Sequence, residues 1–462
     1  MANPVTISDL DKILKDFYLG PIIESLNNQL EMVQLFTKAT LDWSGRQVVI
    51  PVHVSRNDGT GYRAEGNDLP IAGGQGFVNL NITAKFLYGR FCLTGPAIST
   101  AKTSANSFAT YVQTEMDGLV TDTKLKANQA MFTGGGCIGF VHERLVVAAG
   151  ASATLSFTGN KDVATTLQAL QTAPALNEGR LVLDFIMLDD YSSAIAAAAP
   201  ATDAVTTDAT AGTASQLVVE CLGAGSGLDL QNIDSTYAAM VVVTGWGTRL
   251  IAAPNTFALV AGAVATEVSN EVIGLYANLG LKSHYTVDRN VAANAPLRST
   301  VKAISVAGNG VAHANQALDF GRMQSILDDL MILGGDDPDC IYIHPGLRQK
   351  YADLLVFTQP GAIQKDAQGK PGTGDPGFSG YAFNGIPVKM SRHCGKGMMI
   401  FLKTSTWTVA ELQSFGMADL DGNVLSRVTN RDEWEGFVRW YYNLVCKEPN
   451  RNAILCGIDF PA

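Results

Sequence analysis

The C-terminal part of the chain alternates strand-forming runs with turn residues. The runs cover residues 383–388, 437–446 and 452–458, and they are rich in the β-branched and aromatic side chains that suit a pleated, half-buried surface. Between the first two runs, Asp421-Gly422 supplies the positive φ values that a tight hairpin turn requires. No metal-ligand cluster or phosphate-loop motif accompanies these runs. The pattern therefore predicts a β-rich core that carries no chemistry of its own.

The composition indicates extensive burial or contact between subunits. The 462 residues are 47% hydrophobic and only 16% charged, whereas an average soluble domain is about 25% charged. At roughly 150 residues per domain, the length predicts about three domains. The net charge of -10 argues against a protein that grips nucleic acid, because that affinity comes from Lys and Arg placed at phosphates.

The cysteines and the N-terminus suggest a cytoplasmic protein. The seven cysteines are odd in number and show no C-x-x-C spacing, which disfavours a zinc site or a disulfide scaffold. Asp9, Asp11 and Asp16 interrupt the first apolar residues, so we expect no secretory signal. No run reaches the ~18 consecutive apolar residues of a membrane span, so no membrane contact is expected.

Two helical patterns open the chain. Ser8, with Asp11 three residues later, marks a helix start, and Gly20-Pro21 ends that helix. The apolar residues expected on a second helix are Ile23, Leu26, Leu30, Val33 and Phe36. Such an arm is too small to bury a core alone, so it packs either on a partner surface or on its own domain. The sequence leaves both open.

From Arg46 the apolar period changes to two. The alternating residues are Val48, Ile50, Val52 and Val54 in one run, and Val78, Leu80, Ile82, Ala84 and Phe86 in the next. The intervening residues 55–76 combine glycines and a proline with charged residues, so they form no core. The pattern predicts a long, mobile, charged hairpin extension.

The longest helical pattern covers residues 104–132. Its apolar stripe consists of Phe108, Val112, Met116, Leu119, Ala127 and Ala130. Gly134-Gly135-Gly136 ends the pattern. At 1.5 Å per residue this helix is roughly 40 Å long, about the span of a small domain.

The second half of the chain divides into a β-rich region and a region of strands and helices. Residues 145–265 are rich in Ala, Thr, Gly and Val, and we interpret 202–265 as a β-rich insertion. Residues 320–331 predict a helix that Gly334-Gly335 ends, and residues 339–345 predict a strand followed by a second helix that extends to Leu355.

In this order, the features resemble the major capsid proteins of tailed bacteriophages with the HK97-like fold. The residues that carry the resemblance are Gly385-Ile386-Pro387-Val388, Asp421-Gly422, the strand RWYYNLVC at 439–446 and the terminal PNRNAILCGI at 449–458. No single motif is diagnostic, and the order of the elements is the specific part.

The resemblance implies an α+β fold with six segments. These are an N-terminal arm (1–45), an extended loop (46–100), a peripheral domain with a long spine helix (101–201), the β-rich insertion (202–265), an axial domain (266–400) and a return to the peripheral domain (401–462).

The resemblance also implies a structural protein of the virion, with no enzymatic activity, cofactor or metal. Such a protein assembles with itself, in the host bacterial cytoplasm, into hexamers and pentamers of an icosahedral head that encloses double-stranded DNA without sequence-specific contacts. Since the loop strands begin near residue 46, a separate scaffolding protein is implied, together with a portal protein at one vertex. Whether a cement protein binds stays open.

The candidate contacts between subunits are Arg56, Arg63, Glu65, Asp68, Lys85 and Arg90. In the family the extended loop lies over a neighbouring subunit, where many weak contacts together hold a lattice. Some members crosslink a loop lysine to an asparagine of a neighbour. Lys85, Asn57 and Asn67 are present here, but nothing in the sequence positions them, so we predict no crosslink.

Two alternatives remain. An encapsulin-like nanocompartment shell has the same fold but encloses enzymes, and the chain length favours the viral protein. A cytoplasmic enzyme could use Gly134-x-Gly136-x-x-Gly139 for a dinucleotide, or Cys137 as a nucleophile with a His and an Asp that the fold brings close, since His142 and Glu143 are merely near in the sequence. Both motifs need a preceding strand. A helix is predicted there instead, which favours a simple turn.

The remaining polar and aromatic residues have structural interpretations. The histidines lack partners at metal-ligand spacing, and His344 before Pro345 is expected to end a strand. Asp189-Asp190 and Asp336-Asp337 are interpreted as solvated turns. Trp440, Tyr441 and Tyr442 are interpreted as core or as subunit contact.

Overall fold

The described residues of the computed structural model form both helices and strands. They are residues 31–40, 43, 46–94, 105–134, 137–141, 146–147, 152–156, 183–188, 204–207, 216–222, 228–229, 239–243, 271–280, 283–304, 316–358, 381–418, 426–427 and 432–459. The α-helices are α1 (Glu31–Leu35), α2 (Ala105–Thr133), α3 (Leu275–Gly280), α4 (Phe320–Leu333) and α5 (Arg348–Thr358). Short 3-10 helices cover Ala292–Leu297, Pro345–Leu347, Thr404–Thr406 and Pro449–Arg451.

The strands are β1 (Thr37–Thr40), β2 (Gln47–Ser55), β3 (Gly76–Thr83), β4 (Lys85–Thr94), β5 (Cys137–Val141), β6 (Val146–Val147), β7 (Ser152–Ser156), β8 (Leu183–Met187), β9 (Ala204–Thr207), β10 (Gln216–Leu222), β11 (Leu228–Asp229), β12 (Ala239–Val243), β13 (Ser283–His284), β14 (Val287–Asp288), β15 (Thr300–Ala303), β16 (Cys340–Ile343), β17 (Tyr381–Phe383), β18 (Ile386–Met390), β19 (Met399–Leu402), β20 (Trp407–Met417), β21 (Ser426–Arg427), β22 (Glu433–Cys446) and β23 (Ala453–Cys456).

A five-stranded sheet contains the aromatic C-terminal strand. β22 pairs antiparallel with β20, with β4 and, near its start, with β21, while β1 lies parallel to β20. Val438, Trp440 and Tyr442 alternate along β22 and are buried, because one face of this sheet packs on the core. The strand expected at 437–446 is thus present, and its inward aromatics are core residues.

A six-stranded mixed sheet has the order β15-β23-β19-β16-β18-β17. Every residue of β16, β19 and β23 is buried. The reason is that both faces are covered: Ile341 and Phe401 pack with residues of α4 and α5, whereas Tyr342 and Ile400 pack with residues of α2 and α3. Because both faces of the sheet are covered, these strands are continuous apolar runs in the sequence.

The run at 383–388 is two strands joined by a turn, not one strand. Asn384 and Gly385 have φ values of 48° and 82°, the two positive values of a type I′ turn, and they connect β17 to β18. The other turn expected from the sequence, Asp421-Gly422, lies outside the described residues.

The predicted spine helix is α2, whose 29 residues correspond to about 43 Å. Its Leu119 and Thr123 lie against Gly89 of β4. Toward the C-terminal end, Met131 and Phe132 are fully buried, and the Phe132 ring meets Tyr342 of β16 at 6.0 Å. The helix therefore packs against both large sheets.

The end of the N-terminal arm packs on its own chain. The Met32 N–H donates to Asn128 Oδ1 of α2 at 2.8 Å, and the Phe36 ring stacks on Trp407 at 5.6 Å. β1 then joins the five-stranded sheet. Residues 31–40 thus follow the second of the two alternatives, in which the arm docks on its own domain. Residues 1–30 lie outside the described part.

The β2–β3 hairpin has the predicted alternation. The four valine and isoleucine positions of β2 are half-buried, and the residues between them are exposed. Leu80 and Ile82 of β3 are buried against Tyr285, Val287 and Leu297. The base of the extension therefore rests on the segment around β13 and β14, a contact that the sequence did not predict.

Strands pair with one another across two of the predicted segment boundaries. β12 lies between β5 and β8, and β10 lies between β7 and β9, so strands on both sides of residue 202 pair with one another. The described β-rich region extends from Cys137 to Val243 instead of starting at 202. In addition, β23 belongs to the six-stranded sheet with β15 and β19, although residues 401–462 were expected to return together to the other domain.

Candidate functional site

The loop tip, defined as residues 56–75, extends from the far end of the β2–β3 hairpin. Its two sides meet at Gly59 and Gly73: a Cβ on Gly73 would lie 2.5 Å from Asn57 Oδ1 and 3.0 Å from the Gly59 nitrogen. Asn57 Oδ1 also accepts the Gly59 N–H at 2.7 Å. Because the two backbone segments come this close, Gly59 and Gly73 have no room for a side chain, and they hold the two sides of the loop tip together at its base.

The six candidate contact residues fall into two groups. Arg56, Arg63, Glu65 and Asp68 are exposed on the loop tip, and within the described residues none of them forms an ion pair. By contrast, Arg90 of β4 pairs with Glu435 of β22. Lys85 is half-buried at the start of β4, where burial lowers its pKa.

The loop tip also carries exposed apolar side chains that the sequence interpretation missed. Tyr62, Leu69 and Ile71 have relative exposures of 105%, 86% and 91%. Large apolar groups so fully in water are expected at surfaces that bind a partner. The sequence signal for this exposure is their position in a glycine-rich, charged segment that cannot form a core.

A second exposed surface lies on the five-stranded sheet, on the face opposite to α2. We define the outer face by Phe86 and Tyr88 of β4 and by Arg439 and Tyr441 of β22, which are cross-strand partners. The Tyr441 ring contacts Phe86 at 5.0 Å and Tyr88 at 5.6 Å, and the Arg439 guanidinium lies 6.0 Å from the same ring. Phe86 and Tyr88 are each 56% exposed.

The fold agrees with that of a solved phage capsid structure. The capsid asymmetric unit of cyanophage A-1(L) aligns with 98% of this chain and 99% of its own, with a TM-score of 0.55 at 11% sequence identity. The chain has the HK97-like capsid fold. Two weaker matches, the capsids of a native GTA particle and of cyanophage P-SCSP1u, cover 99% of this chain and 100% and 96% of their own, at 9% and 11% identity and with TM-scores of 0.48 and 0.42. No protein-family model and no curated protein matches the sequence.

Within this capsid fold, a buried arginine joins α3 to the end of β22. Arg289 is 0% exposed and donates to the carbonyl oxygens of Leu279, at 2.8 Å, and Asn278 at the C-terminal end of α3. It also contacts His284 Nδ1 at 2.5 Å, and His284 Nε2 bonds the Cys446 carbonyl at 2.9 Å. Burial, and then the Arg289 charge, lower the pKa of His284, so this ring stays neutral.

The geometry at Gly134 does not support a nucleotide site. α2 precedes the glycines and β5 follows them, which is the reverse of the strand–turn–helix order that places a pyrophosphate at a helix N-terminus. Cys137 is buried in β5, and His142 and Glu143 lie outside the described residues. The turn interpretation is therefore favoured.

Other polar residues occupy structural positions. His344 follows β16, and its Nδ1 accepts the Gly346 N–H at 3.0 Å. Among the described residues no group of three or more His, Cys, Asp or Glu is placed to hold a metal ion. No described helix has the length and apolar character needed to cross a bilayer.

The carboxylates after α4 form ion pairs around a turn. Asp336 pairs with Arg451 at 2.8 Å, and Asp339 pairs with Lys403 at 3.1 Å. Partial burial favours a higher pKa for Asp339, but hydrogen bonds from Thr404 and Lys403 outweigh it and hold the pKa below its ordinary value.

We expect Asp339→Asn to destabilise the subunit at neutral pH and to lose this effect in acid. Because the folded-state pKa is depressed, the stabilisation is present above the unfolded pKa of about 4 and disappears as the pH falls through the folded value. In urea unfolding, the difference in free energy of unfolding between wild type and variant should stay constant from about pH 7 to 5 and should become smaller below about pH 4. Asp337→Asn is the matched control. A gap that stays constant to about pH 3 would contradict this assignment.

Proposed function

We propose that the chain is the major capsid protein of a tailed phage and that it assembles into hexamers and pentamers of an icosahedral head around double-stranded DNA. The observation that carries the proposal is the HK97-like fold with an exposed loop tip at the end of the β2–β3 hairpin. β2 alone has nine residues, about 30 Å at 3.4 Å per residue, so the tip can reach a neighbouring subunit.

As part of the proposal, we assign the described elements to the domains of the capsid fold. α2 and the five-stranded sheet form the peripheral domain, the six-stranded sheet with α4 and α5 forms the axial domain, and β23 belongs to the axial domain. The strands between Cys137 and Val243 form the insertion. The subunit acts structurally, without catalysis.

The proposed partners are further copies of the chain, a separate scaffolding protein and a portal protein at one vertex. The packaged DNA is held without sequence-specific contacts, in keeping with the net charge of -10, because a strongly basic lining would bind phosphates tightly. Assembly takes place in the bacterial cytoplasm, and the product is the virion shell.

Electron microscopy of the purified protein, produced with and without the other head proteins of its phage, tests the proposal. Rings or closed shells, with DNA inside particles isolated from infected cells, are the expected result. Particles filled with a protein cargo would favour the encapsulin-like alternative. A protein that stays monomeric or dimeric in every preparation would refute a shell function.

We expect Arg63→Glu to leave the subunit folded and to impair assembly. Arg63 is exposed on the loop tip and has no ion pair within the described residues, so its reversal should change the thermal midpoint little. Because every subunit carries the same substitution, the weakened interaction recurs throughout the shell, and the assembled fraction measured by sedimentation should fall by roughly tenfold. Arg348→Glu, which changes the net charge equally at an exposed site on α5, is the control. Normal assembly of Arg63→Glu would exclude a role for this side chain between subunits.

A further inference from the structure

Residues 31–40, which we call the strap, connect the two large sheets and α2. At its start, the Glu31 carboxylate accepts a hydrogen bond from the Ser391 hydroxyl, directly after β18 of the six-stranded sheet. The Met32 N–H then donates to Asn128 Oδ1 of α2 at 2.8 Å. At its end, β1 pairs with β20 of the five-stranded sheet. The strap therefore extends from one sheet to the other, so its attachment affects how firmly the two are joined.

The first contact of the strap leaves the Glu31 carboxylate only partly satisfied. Its Oε2 is buried and has no hydrogen-bond partner among the described residues. Lys389 and Arg392 supply favourable positive charge from the end of β18. Burial outweighs the Ser391 hydrogen bond and these charges, and it raises the pKa of Glu31 above its ordinary value. Because a buried carboxylate that lacks donors is costly when it is ionised, the Glu31 contact is weaker in the charged form than in the neutral form.

The other groups around Glu31 are uncharged near neutral pH. Tyr342 of β16 and Cys394 face the carboxylate, and burial raises the pKa of both groups, so they stay protonated. His393 is buried, and its Nε2 accepts a hydrogen bond from the arginine that precedes it at 3.2 Å, which requires a neutral ring. From α2 the facing group is the amide of Asn128, which does not titrate. Among the described residues, the group at this contact whose charge a moderate fall in pH changes is therefore Glu31.

We propose that the strap is a pH-sensitive conformational device, in which neutral Glu31 holds the strap on the six-stranded sheet and ionised Glu31 lets it open more readily. The inference goes beyond the proposed function, since it concerns the single subunit and requires no shell. Because the folded-state pKa of Glu31 is raised, its ionisation costs nothing below the ordinary value of 4.5 and the full amount above the folded value. The strap is therefore attached most firmly in acid and least firmly at neutral pH, which is the reverse of the dependence expected at Asp339.

Hydrogen exchange of the Met32 amide in the unassembled subunit tests this device. The amide is bonded to the buried Asn128 side chain, so it exchanges when the strap opens. Glu31→Gln removes the ionisable group and should slow the exchange severalfold at about pH 7, whereas at about pH 4 the variant and the wild type should exchange alike. Comparing the two proteins at the same pH removes the intrinsic pH dependence of exchange. Glu115→Gln, which makes the same change at an exposed site on α2, is the control and should match the wild type at both pH values.

A second substitution separates the charge of Glu31 from a purely structural role. Lys389→Gln removes a cation that offsets the ionised carboxylate, so it should speed the Met32 exchange in the wild-type background and have little effect in the Glu31→Gln background. The contact of Lys389 Nζ with the Tyr342 ring, at 5.8 Å, is lost in both backgrounds and cancels in this comparison. Faster exchange in Glu31→Gln at neutral pH, or an equal effect of that substitution at both pH values, would overturn the inference. Neither result bears on shell formation, which electron microscopy tests separately.

Discussion

Replacing Trp440 by alanine should lower the free energy of unfolding by about 3–5 kcal/mol, the usual cost of removing a buried tryptophan. Trp440 is 1% exposed, and its ring stacks on Tyr442 at 3.9 Å, so the substitution leaves a cavity in the core beside β22. Its Nε1–H also donates to Glu411 Oε1 at 2.9 Å. Glu411 is only 7% exposed, and the variant removes this donor from a buried carboxylate.

Urea unfolding of the unassembled subunit measures this effect. Trp440→Phe is the control, because it keeps an aromatic ring in the core and removes the N–H donor with only part of the ring volume, so it should cost clearly less. We also expect Trp440→Ala to yield few shells, since a loss of about 3–5 kcal/mol is a large part of a typical stability of about 5–15 kcal/mol. A decrease below about 1 kcal/mol would show that the core around β22 collapses into the cavity or is packed differently.

Replacing Arg289 by methionine should have an effect of similar size, about 3–5 kcal/mol, because it removes the guanidinium donor from the Asn278 carbonyl and one of the two donors of the Leu279 carbonyl, which also accepts from the Ser299 hydroxyl. The guanidinium donates to the carbonyl oxygens of Asn278 and Leu279, where the C-terminal end of α3 needs donors. It also orients His284, which in turn bonds to β22. Methionine fills much of the volume but supplies none of these hydrogen bonds.

Two further substitutions separate charge from geometry at this junction. Arg289→Lys keeps a cation but lacks the fork that reaches two carbonyl groups and a ring nitrogen, so it should recover only part of the stability. Arg298→Met is the comparison for the less buried side of this junction. Arg298 donates to the Arg289 and Asn290 carbonyl oxygens, and its replacement should lower the free energy of unfolding by about 1 kcal/mol. Equal stability of Arg289→Lys and wild type would show that charge alone is required.

Local sequence patterns were sufficient to predict the long helices and strands. The period of α2, the alternation of β2 and β3 and the aromatic character of β22 each reflect which faces of an element are buried, and burial sets residue type. The loop tip was also predictable, since its glycines and charges cannot form a core. Its apolar residues were visible in the sequence, but only their exposure shows that they have no place in the subunit's own core.

What the sequence by itself determined is the kind and order of elements, because helix and strand periodicity are local properties. Only the tertiary structure decided which strands pair, because partners such as β23 and β15, or β10 and β7, are far apart along the chain and their short apolar runs are interchangeable in pattern. The outer face and the Arg289 junction also depend on residues that are far apart along the chain. Arg439 lies opposite Tyr88, and Arg289 bonds to the end of α3, only because the folded chain brings them together.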